Sequence, residues 1–238
     1  LEDTIVALRP LIPSLPWDLP NSVRLIDPSM PEGVSLTDIG MPIFDPLGHP
    51  VEIFNHYVNF GWEYVWHCHI LSHEEMDMMR PQAVVITPKA PTDLALGVTG
   101  DGITRTLELT WVDNSINETA FTVERAITTT GIWETLAVLP ANTTLYTETV
   151  GTTGQEYSYR VFASNTVGDT TAYPAPSIGF PTETKVSEPT NVVELSLVPL
   201  APPAAPTDLT ALWVAGPQVR LTWTDNATDE TGFVIERA

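Results

Sequence analysis

The sequence predicts an all-β protein, and three observations support that fold class. Prolines recur every few residues between Pro10 and Pro50, at a density that prevents long helices and central strands. From Trp62 to Cys68, aromatic residues alternate with other residues, which is the period-two pattern of a β-strand. Short strand-like runs separated by turn residues then follow at the spacing typical of a β-sandwich.

The composition is that of an acidic, folded protein. Hydrophobic residues make up 43% of the 238 residues, which is enough to bury a core. Because 30 acidic residues against 10 basic ones give a formal charge of -20, we expect neither nucleic acid nor an anionic membrane as a partner. No apolar run reaches the length of a membrane-spanning helix. Cys68 is the only cysteine, so no internal disulfide can form.

Composition divides the chain into three zones. Residues 1–88 are loop-rich until Trp62, and a polar turn after Cys68 leads to a predicted closing strand at residues 83–87. The second zone covers residues 89–199, with a long loop expected between residues 168 and 186. Its predicted strands are residues 106–112, 121–125, 157–163 and 191–197.

The third zone repeats the start of the second. A Pro/Ala-rich run at residues 200–205 predicts a semi-stiff linker. The sequence from Ala205 to Ala238 then repeats the second zone from Ala90 to Ala126, which indicates tandem copies of one module. The second copy stops at its expected third strand, residues 233–238, so we expect it to be truncated and poorly ordered. Since Leu1 also begins as if in mid-sequence, we expect the chain to be part of a longer protein.

Residues 67–78 concentrate metal-ligand chemistry. Alternation along a strand predicts that Cys68 points to one face, and that His67 and His69 point to the other. His73 lies just past the strand end, where the chain can turn back over Cys68, and Met78 follows. A thiolate, an imidazole and a thioether suit a blue copper centre, and two imidazoles suit a second copper centre. Zinc is the competing metal, but it would not need the methionine.

This segment resembles the C-terminal copper motif of the multicopper oxidases, the laccase-like family of linked cupredoxin domains. The family pattern is His-Cys-His, three residues, His, four residues, then Met or Leu. This pattern is met by His67, Cys68, His69, His73 and Met78. The segment departs from the family only at Asp77, where the family usually has Gly.

The resemblance implies a role for each of these ligands. Cys68 and His73, with Met78 as the axial ligand, would bind the type 1 copper. His67 and His69 would each bind one copper of the type 3 pair, within the trinuclear cluster of type 2 and type 3 copper. Electrons from a reducing substrate, a phenol or a metal ion, would pass through Cys68 and its flanking histidines and reduce dioxygen to water.

Nearby residues receive less specific interpretations. Met76 and Met79 are alternative thioethers. The loop histidines His49 and His56 are expected to be solvated. A solvated acidic turn is expected at Glu74, Glu75 and Asp77. The strand aromatics Trp62, Tyr64 and Trp66 are expected in the core.

The family's cluster also takes histidines that this sequence does not contain. Its last cupredoxin domain carries an upstream His-Pro-x-His-x-His segment, and Gly48-His49-Pro50 does not match it. We therefore expect the chain to need upstream cupredoxin domains as partners. By itself it should hold copper weakly and should not reduce dioxygen.

The second and third zones resemble fibronectin type III domains. Pro91, Trp111 and residues 157–165 carry the resemblance, and Tyr157 fits the tyrosine-corner position. Trp111 and Trp223 are expected in the core, and Glu124-Arg125 and Glu236-Arg237 on exposed edge strands. Such modules act as spacers or as contacts to polysaccharide or a cell surface. The sequons at Asn117, Asn142 and Asn226 are expected to be bare in a bacterial protein.

These interpretations combine into one predicted architecture and two functions. Residues 1–88 are the C-terminal part of a cupredoxin Greek-key barrel, followed by a fibronectin type III domain at 89–199 and a truncated second one at 206–238. The predicted function is the copper-binding part of a secreted multicopper oxidase, extracellular, periplasmic or at the cell surface. The alternative is a non-catalytic extracellular binding or structural protein with a relict copper motif. A small electron-transfer cupredoxin is disfavoured, because it would have no use for histidines on both sides of Cys68.

Overall fold

The computed structural model describes residues 7, 9, 11, 14–37, 42–76, 78–100, 104–151, 155–196, 203–228 and 230–236. Within these residues the regular structure consists of β-strands and a single four-residue helix, which confirms the all-β fold class. Contacts divide the chain into two compact units, Leu1–Leu197 and Val198–Ala238. The predicted domain boundaries within the first unit stay predictions.

The first zone contains short strands. They are β1 (Val23–Leu25), β2 (Ile43–Phe44), β3 (Pro50–Val51), β4 (Tyr57–Asn59), β5 (Trp62–His67) and β6 (Met79–Val84), with the helix α1 (Leu71–Glu74) between the last two. β1 pairs with β4, β2 with β3, and β5 with β6, all antiparallel. The assignment of these strands to a cupredoxin barrel stays a prediction.

The β5–β6 hairpin differs from its prediction in three respects. Its second strand begins at Met79 rather than at Ala83, it ends at Val84 rather than at Thr87, and the polar turn contains α1. Pro81 weakens the strand signal because it has no N–H to donate. It lies opposite Val65 in a two-stranded sheet, and among the described residues no further strand pairs with the outer edge of β6. The ladder therefore continues to the pair His67–Met79 and brings β6 directly to the copper motif.

The second zone forms a two-sheet sandwich. Its strands are β7 (Thr92–Thr99), β8 (Thr104–Val112), β9 (Ala120–Ile127), β10 (Trp133–Pro140), β11 (Leu145–Gly151), β12 (Glu156–Gly168), β13 (Thr182–Val186) and β14 (Val193–Ser196). One sheet has the order β11-β8-β7, and in the other β9 lies between β10 and β12, with β13 and β14 also paired to β12. This is the strand arrangement of a fibronectin type III sandwich.

The sandwich core follows the alternation of its strands. The buried side chains at every second position are Leu107, Leu109 and Trp111 of β8, Phe121 and Val123 of β9, and Tyr159, Val161 and Ala163 of β12. The predicted strands at 106–112, 121–125 and 157–163 are confirmed, and the one at 191–197 is confirmed in its central part. The loop expected at 168–186 is wrong at its end, because Thr182–Val186 pairs with β12.

The expected exposed edge charges at Glu124 and Arg125 are wrong for this copy. β9 is an inner strand, so cross-strand partners flank both side chains on the sheet. Arg160 Nε donates to Glu124 Oε2 at 2.7 Å, and an Arg125 guanidinium nitrogen donates to Glu134 Oε1 at 2.9 Å. In the second copy, Glu236 is exposed, and Arg237 lies outside the described residues.

A junction that the sequence did not predict joins the first zone to the sandwich. β4 pairs with the end of β12 at Asn59–Gly168, so the larger sheet continues through β4 into β1. Gly61, with φ of 61°, lies beside the junction, and a Cβ there would meet Val84 O at 2.5 Å and Val167 Cγ2 at 2.8 Å. Only glycine fits this close backbone approach.

Four asparagines, here called the asparagine junction, connect the same surfaces: Asn21, Asn59, Asn117 and Asn165. The Asn165 side chain is fully buried; it donates to Asn21 Oδ1 and Ile86 O and accepts from Asn21 and Asn59. The Asn117 amide is also buried and donates to Ile86 O at 3.0 Å. This sequon is therefore inaccessible in the folded protein.

An apolar cluster completes the junction. Leu36, Val51 and Ile53 of the first zone are buried, and Tyr173 and Phe180 from the sandwich loop after β12 pack against them. The two rings meet edge to face, with centroids 5.6 Å apart. The loop therefore contributes to the core of the first zone.

The second unit contains the hairpin β15 (Thr207–Val214) and β16 (Gln218–Thr224). Its hydrogen bonds confirm the repeat: Asn226 Nδ2 donates to Ala205 O and Thr207 Oγ1, as Asn114 Nδ2 does to Ala90 O and Thr92 Oγ1. The expected strand at 233–238 is not formed at residues 233–236, which lack the neighbours that β9 has on both sides. Trp223 is half-buried against Phe233, and the weak order of this copy stays a prediction.

Candidate metal centre

The copper motif lies where β5 ends and the chain turns into α1. The last ladder pair is His67–Met79, and residues 68–70 lead from it into the helix. His73 N donates to Ile70 O at 2.8 Å, which closes the first turn of α1. This tight turn directs His73 back towards the strand end.

Cys68 and His73 come together in this turn. The Cys68 Sγ lies 3.6 Å from His73 Nδ1, and both residues are half-buried. Their proximity matches the expectation that the chain turns back over Cys68. A thiol and an imidazole in contact form a donor pair that favours soft or borderline metals such as copper or zinc.

Met78 lies in the same turn. Its backbone N–H donates to His73 O at 3.1 Å, which holds the residue near the thiol–imidazole pair, and its side chain is 54% exposed. Of the alternative thioethers, Met76 donates its backbone N–H to the same carbonyl, His73 O, at 3.2 Å, but its side chain is 77% exposed, and Met79 lies on β6. Asp77, where the sequence departs from the family pattern, lies outside the described residues.

His67 and His69 form a second pair. Their ring centroids are 4.6 Å apart and the rings are tilted by 49°, so the two imidazoles lie side by side although β5 ends at His67. Donor atoms of His67, His69 and Glu74 all lie within 4.8 Å of one another. Glu74, expected in a solvated acidic turn, is half-buried beside both imidazoles because α1 carries it there.

The aromatic residues of β5 are not the core residues that the alternation predicts. Trp66 is 57% exposed, and Trp62 and Tyr64 are half-buried. The Tyr64 hydroxyl donates to Leu11 O at 2.6 Å. In the part of the chain that the structure describes, β5 pairs only with β6, and none of the three aromatic residues belongs to the buried core.

His49 and His56 are structural residues rather than solvated loop residues. The buried Asp45 carboxylate contacts His49 Nδ1 at 3.0 Å and accepts backbone N–H groups of Leu47, His49 and Ile178. Burial opposes the charged form of Asp45, but the hydrogen bonds outweigh that effect and lower its pKa. The local sequence feature that could have predicted this turn is the position of Asp45 four residues before His49.

His56 connects the first zone to the sandwich loop. Its Nε2 lies 3.1 Å from Asp169 Oδ1 and 3.0 Å from Thr171 Oγ1, and its Nδ1 lies 2.7 Å from Phe54 O. Burial disfavours the imidazolium, but the Phe54 carbonyl and the Asp169 carboxylate outweigh it and raise the pKa of His56. No local signal predicts this contact, because the partners are 113 residues apart.

Comparisons with known proteins give one short match in sequence. No family model matches the chain. Over 38 residues the chain is 47% identical to a laccase from Bacillus stratosphericus, a stretch that covers 16% of this chain and 8% of that protein. The chain therefore aligns with less than a tenth of the length of this curated relative.

The structural comparisons cover more of the chain at lower similarity. Titin domains A168–A170 match over 48% of this chain and 35% of that chain, with 21% identity and a TM-score of 0.30. A two-domain fibronectin type III segment from chicken tenascin matches over 75% of this chain and 99% of that chain, with 12% identity and a TM-score of 0.31. Because both scores are low, the sandwich is assigned from its own strand order. No helix in the described residues is long and apolar enough to cross a membrane.

Proposed function

We propose that this chain is the copper-binding part of a secreted multicopper oxidase, with fibronectin type III modules attached. In this proposal residues 1–88 belong to a cupredoxin domain, residues 89–199 and 206–238 are the two modules, and residues 200–205 link them. The observation that carries it is the contact between Cys68 Sγ and His73 Nδ1 at 3.6 Å, flanked by the pair His67 and His69. The 38-residue match to a laccase supports it.

The donor set of this turn fits copper. Cys68 and His73 would hold a type 1 copper with Met78 as a weak axial ligand, because thiolate, imidazole and thioether are the donors of such centres. His67 and His69 would supply imidazoles to a type 3 pair. Copper, when bound, supplies one-electron transfer. The chain's own contribution is a short covalent path, because Cys68 is peptide-bonded to both histidines.

The remaining parts of the reaction belong to the whole protein. In the proposal, further copper ligands come from upstream cupredoxin domains, which also shape the site for a phenol or a metal ion. Dioxygen is the final electron acceptor, and the fibronectin type III modules contact polysaccharide or a cell surface. An extracellular, periplasmic or cell-surface location follows from these roles.

Copper loading of the full-length protein tests this proposal. We expect an intense visible absorption from thiolate-to-copper charge transfer and oxidation of a phenol or a metal ion. Cys68→Ser should abolish both, whereas Met76→Leu should leave both unchanged because Met76 is 77% exposed and outside the family pattern. A copper-loaded protein that is colourless and oxidises neither class of substrate would show that the proposal is wrong.

The exposure of the hairpin favours the alternative, a binding or structural protein with a relict copper motif. Met78 and Trp66 are 54% and 57% exposed, whereas the buried core lies mainly in the sandwich. On this alternative the full-length protein folds normally and gives no thiolate–copper absorption. The same copper-loading experiment therefore separates the two functions.

A further inference from the structure

We propose that a cavity between the first zone and the sandwich binds an organic ammonium group, as carried by a polyamine or an amino sugar. The cavity lies beside the asparagine junction and has a volume of about 420 Å³. Small-molecule sites typically measure about 300–1,000 Å³, so this one has room for an organic ligand. The inference goes beyond the oxidase proposal and does not depend on it, because the described residues that line the cavity are not those of the copper motif.

The walls of the cavity come from both parts of the first unit. The first zone contributes Val23 of β1 and Tyr57 of β4, and the sandwich contributes Glu118, which precedes β9, and Thr166 of β12. Since β4 pairs with the end of β12, the two walls are held by one continuous sheet. The cavity is therefore part of the folded structure and does not depend on a loop closing over it.

The lining is polar and carries no positive charge. It includes several threonines, the amide side chains of Asn21 and Asn59, and the carboxylates of Glu118 and Asp169. No lysine, arginine or histidine is among the described residues that line it. An anionic ligand would find no opposite charge here, whereas the formal charge of -20 attracts a cationic one.

The Glu118 carboxylate is the group that an ammonium would bind. The residue is only 7% exposed. Its Oε1 accepts the backbone N–H of Asn142 at 3.1 Å, but its Oε2 is buried without a hydrogen-bond partner among the described residues. A buried carboxylate oxygen without a partner costs free energy that a charge-assisted hydrogen bond recovers. Because the last torsion of a glutamate is broad, the carboxylate can turn Oε2 towards a donor in the cavity.

The surroundings of Glu118 do not neutralise its charge. None of the ion pairs in the described residues includes it. Its titrating neighbour Asp113 is another acid, whose pKa is raised by burial and further by the charge of Glu118. Asp169, by contrast, is already bonded to Tyr173 and His56. A cation in the cavity therefore gains most at Glu118.

The apolar part of the lining favours a cation with a carbon skeleton. Tyr57 is 59% exposed, and the face of an aromatic ring attracts an ammonium group. Val23 and Val58 add apolar surface for the carbon atoms of the ligand. A protonated amine on a short chain or a sugar ring matches both features.

Calorimetric titration of the 238-residue chain with putrescine and with glucosamine tests the proposal. We expect one ligand per chain and a dissociation constant of about 1 mM or lower for at least one of the two amines. The uncharged analogues 1,4-butanediol and glucose should bind at least about tenfold more weakly, because they cannot form the charge-assisted bond. Tighter binding of putrescine would identify a polyamine as the source of the ammonium, and tighter binding of glucosamine an amino sugar.

Carboxylate variants locate the site. Glu118→Gln keeps an acceptor for Asn142 N–H but loses the charge, and should weaken amine binding at least about tenfold. Glu194→Gln is the matched control, because it removes the same charge from an exposed position on β14 outside the cavity. It should leave the affinity within about twofold. Tyr57→Ala should weaken binding by about two- to fivefold.

Three results would overturn the proposal. They are equal affinity in Glu118→Gln and the unsubstituted chain, equal binding of an amine and its uncharged analogue, and dissociation constants above about 10 mM for both amines. Circular dichroism checks the fold of each variant, and the uncharged analogues decide the question on the unsubstituted chain if Glu118→Gln does not fold. Because the oxidase proposal is tested by the colour of the copper-loaded full-length protein, either proposal can fail without the other.

Discussion

The β5–β6 hairpin and the sandwich are both antiparallel β-structure with aromatic side chains, but they use those side chains differently. In the sandwich, Trp111, Phe121 and Tyr159 are at most 4% exposed, because a second sheet covers the face they occupy. In the hairpin, Trp66 is 57% exposed, and the candidate metal ligands Cys68 and His73 lie together at one end. Alternation thus determines which residues share a face, and burial requires another layer.

The largest expected effect is a loss of stability when a side chain of the sandwich core is removed. Trp111→Ala removes a buried ring that packs against Phe121 at 5.8 Å and should lower the free energy of unfolding by about 3–5 kcal/mol. Urea unfolding followed by circular dichroism measures the change. Trp213→Ala is the control, because this tryptophan is 78% exposed and its loss should cost less than about 0.5 kcal/mol. Similar losses in both variants would contradict the assigned core.

The next effect concerns the asparagine junction between the two regions. Asn165→Ala leaves the side-chain amides of Asn21 and Asn59 and the carbonyl of Ile86 without this partner. We expect a loss of about 1–3 kcal/mol in the free energy of unfolding and faster hydrogen exchange at β4 and β12. Thr184→Val removes an exposed hydroxyl bond on the same sheet and serves as the control. Unchanged exchange at β4 would show that the junction does not hold the zones together.

A smaller effect depends on pH and on the His56–Asp169 contact. The pKa of His56 is raised, so its stabilising effect is fully present below its unfolded pKa of about 6.5 and is lost as pH rises through the folded pKa. The pKa of Asp169 is lowered, although burial opposes this, by hydrogen bonds led by the Tyr173 hydroxyl. Its contribution is present above its unfolded pKa of about 3.9 and is lost as pH falls through the folded one.

The contact should therefore stabilise the protein most between about pH 4 and 6.5. The difference in unfolding free energy between the unsubstituted protein and His56→Gln, measured by urea unfolding, should be larger at pH 5.5 than at pH 8.5. A difference that is constant with pH would mean that the imidazole does not gain a proton in this contact.

The smallest change in stability is expected for a substitution in the β5–β6 hairpin. Trp66→Ser should change the free energy of unfolding by less than about 0.5 kcal/mol, because more than half of the side chain is already in water. The same urea experiment measures it, beside Trp111→Ala. A loss of 2 kcal/mol or more, on the order of a core truncation, would show that another layer covers β5.

The features predicted correctly are those that depend on neighbours in the sequence. Cys68 and His73 are five residues apart, so a short turn is enough to bring them into contact. The repeat is equally local, since Asn114 and Asn226 each bond back across one hairpin, over 24 and 21 residues to the carbonyls of Ala90 and Ala205. The principal sandwich strands were predictable because their alternating side chains are packed between two sheets.

By itself the sequence determined the all-β class, the repeat, the principal sandwich strands and the closeness of the residues in the copper motif. Only the tertiary structure decided that Asn21 and Asn165, 144 residues apart, bond to each other, that Glu124 and Arg125 lie on an inner strand, and that Trp66 is exposed. Local spacing limits where nearby residues can lie, because they share a few backbone torsions. Contacts between distant segments depend instead on which surfaces pack together, and the pattern of a single sequence does not record that choice.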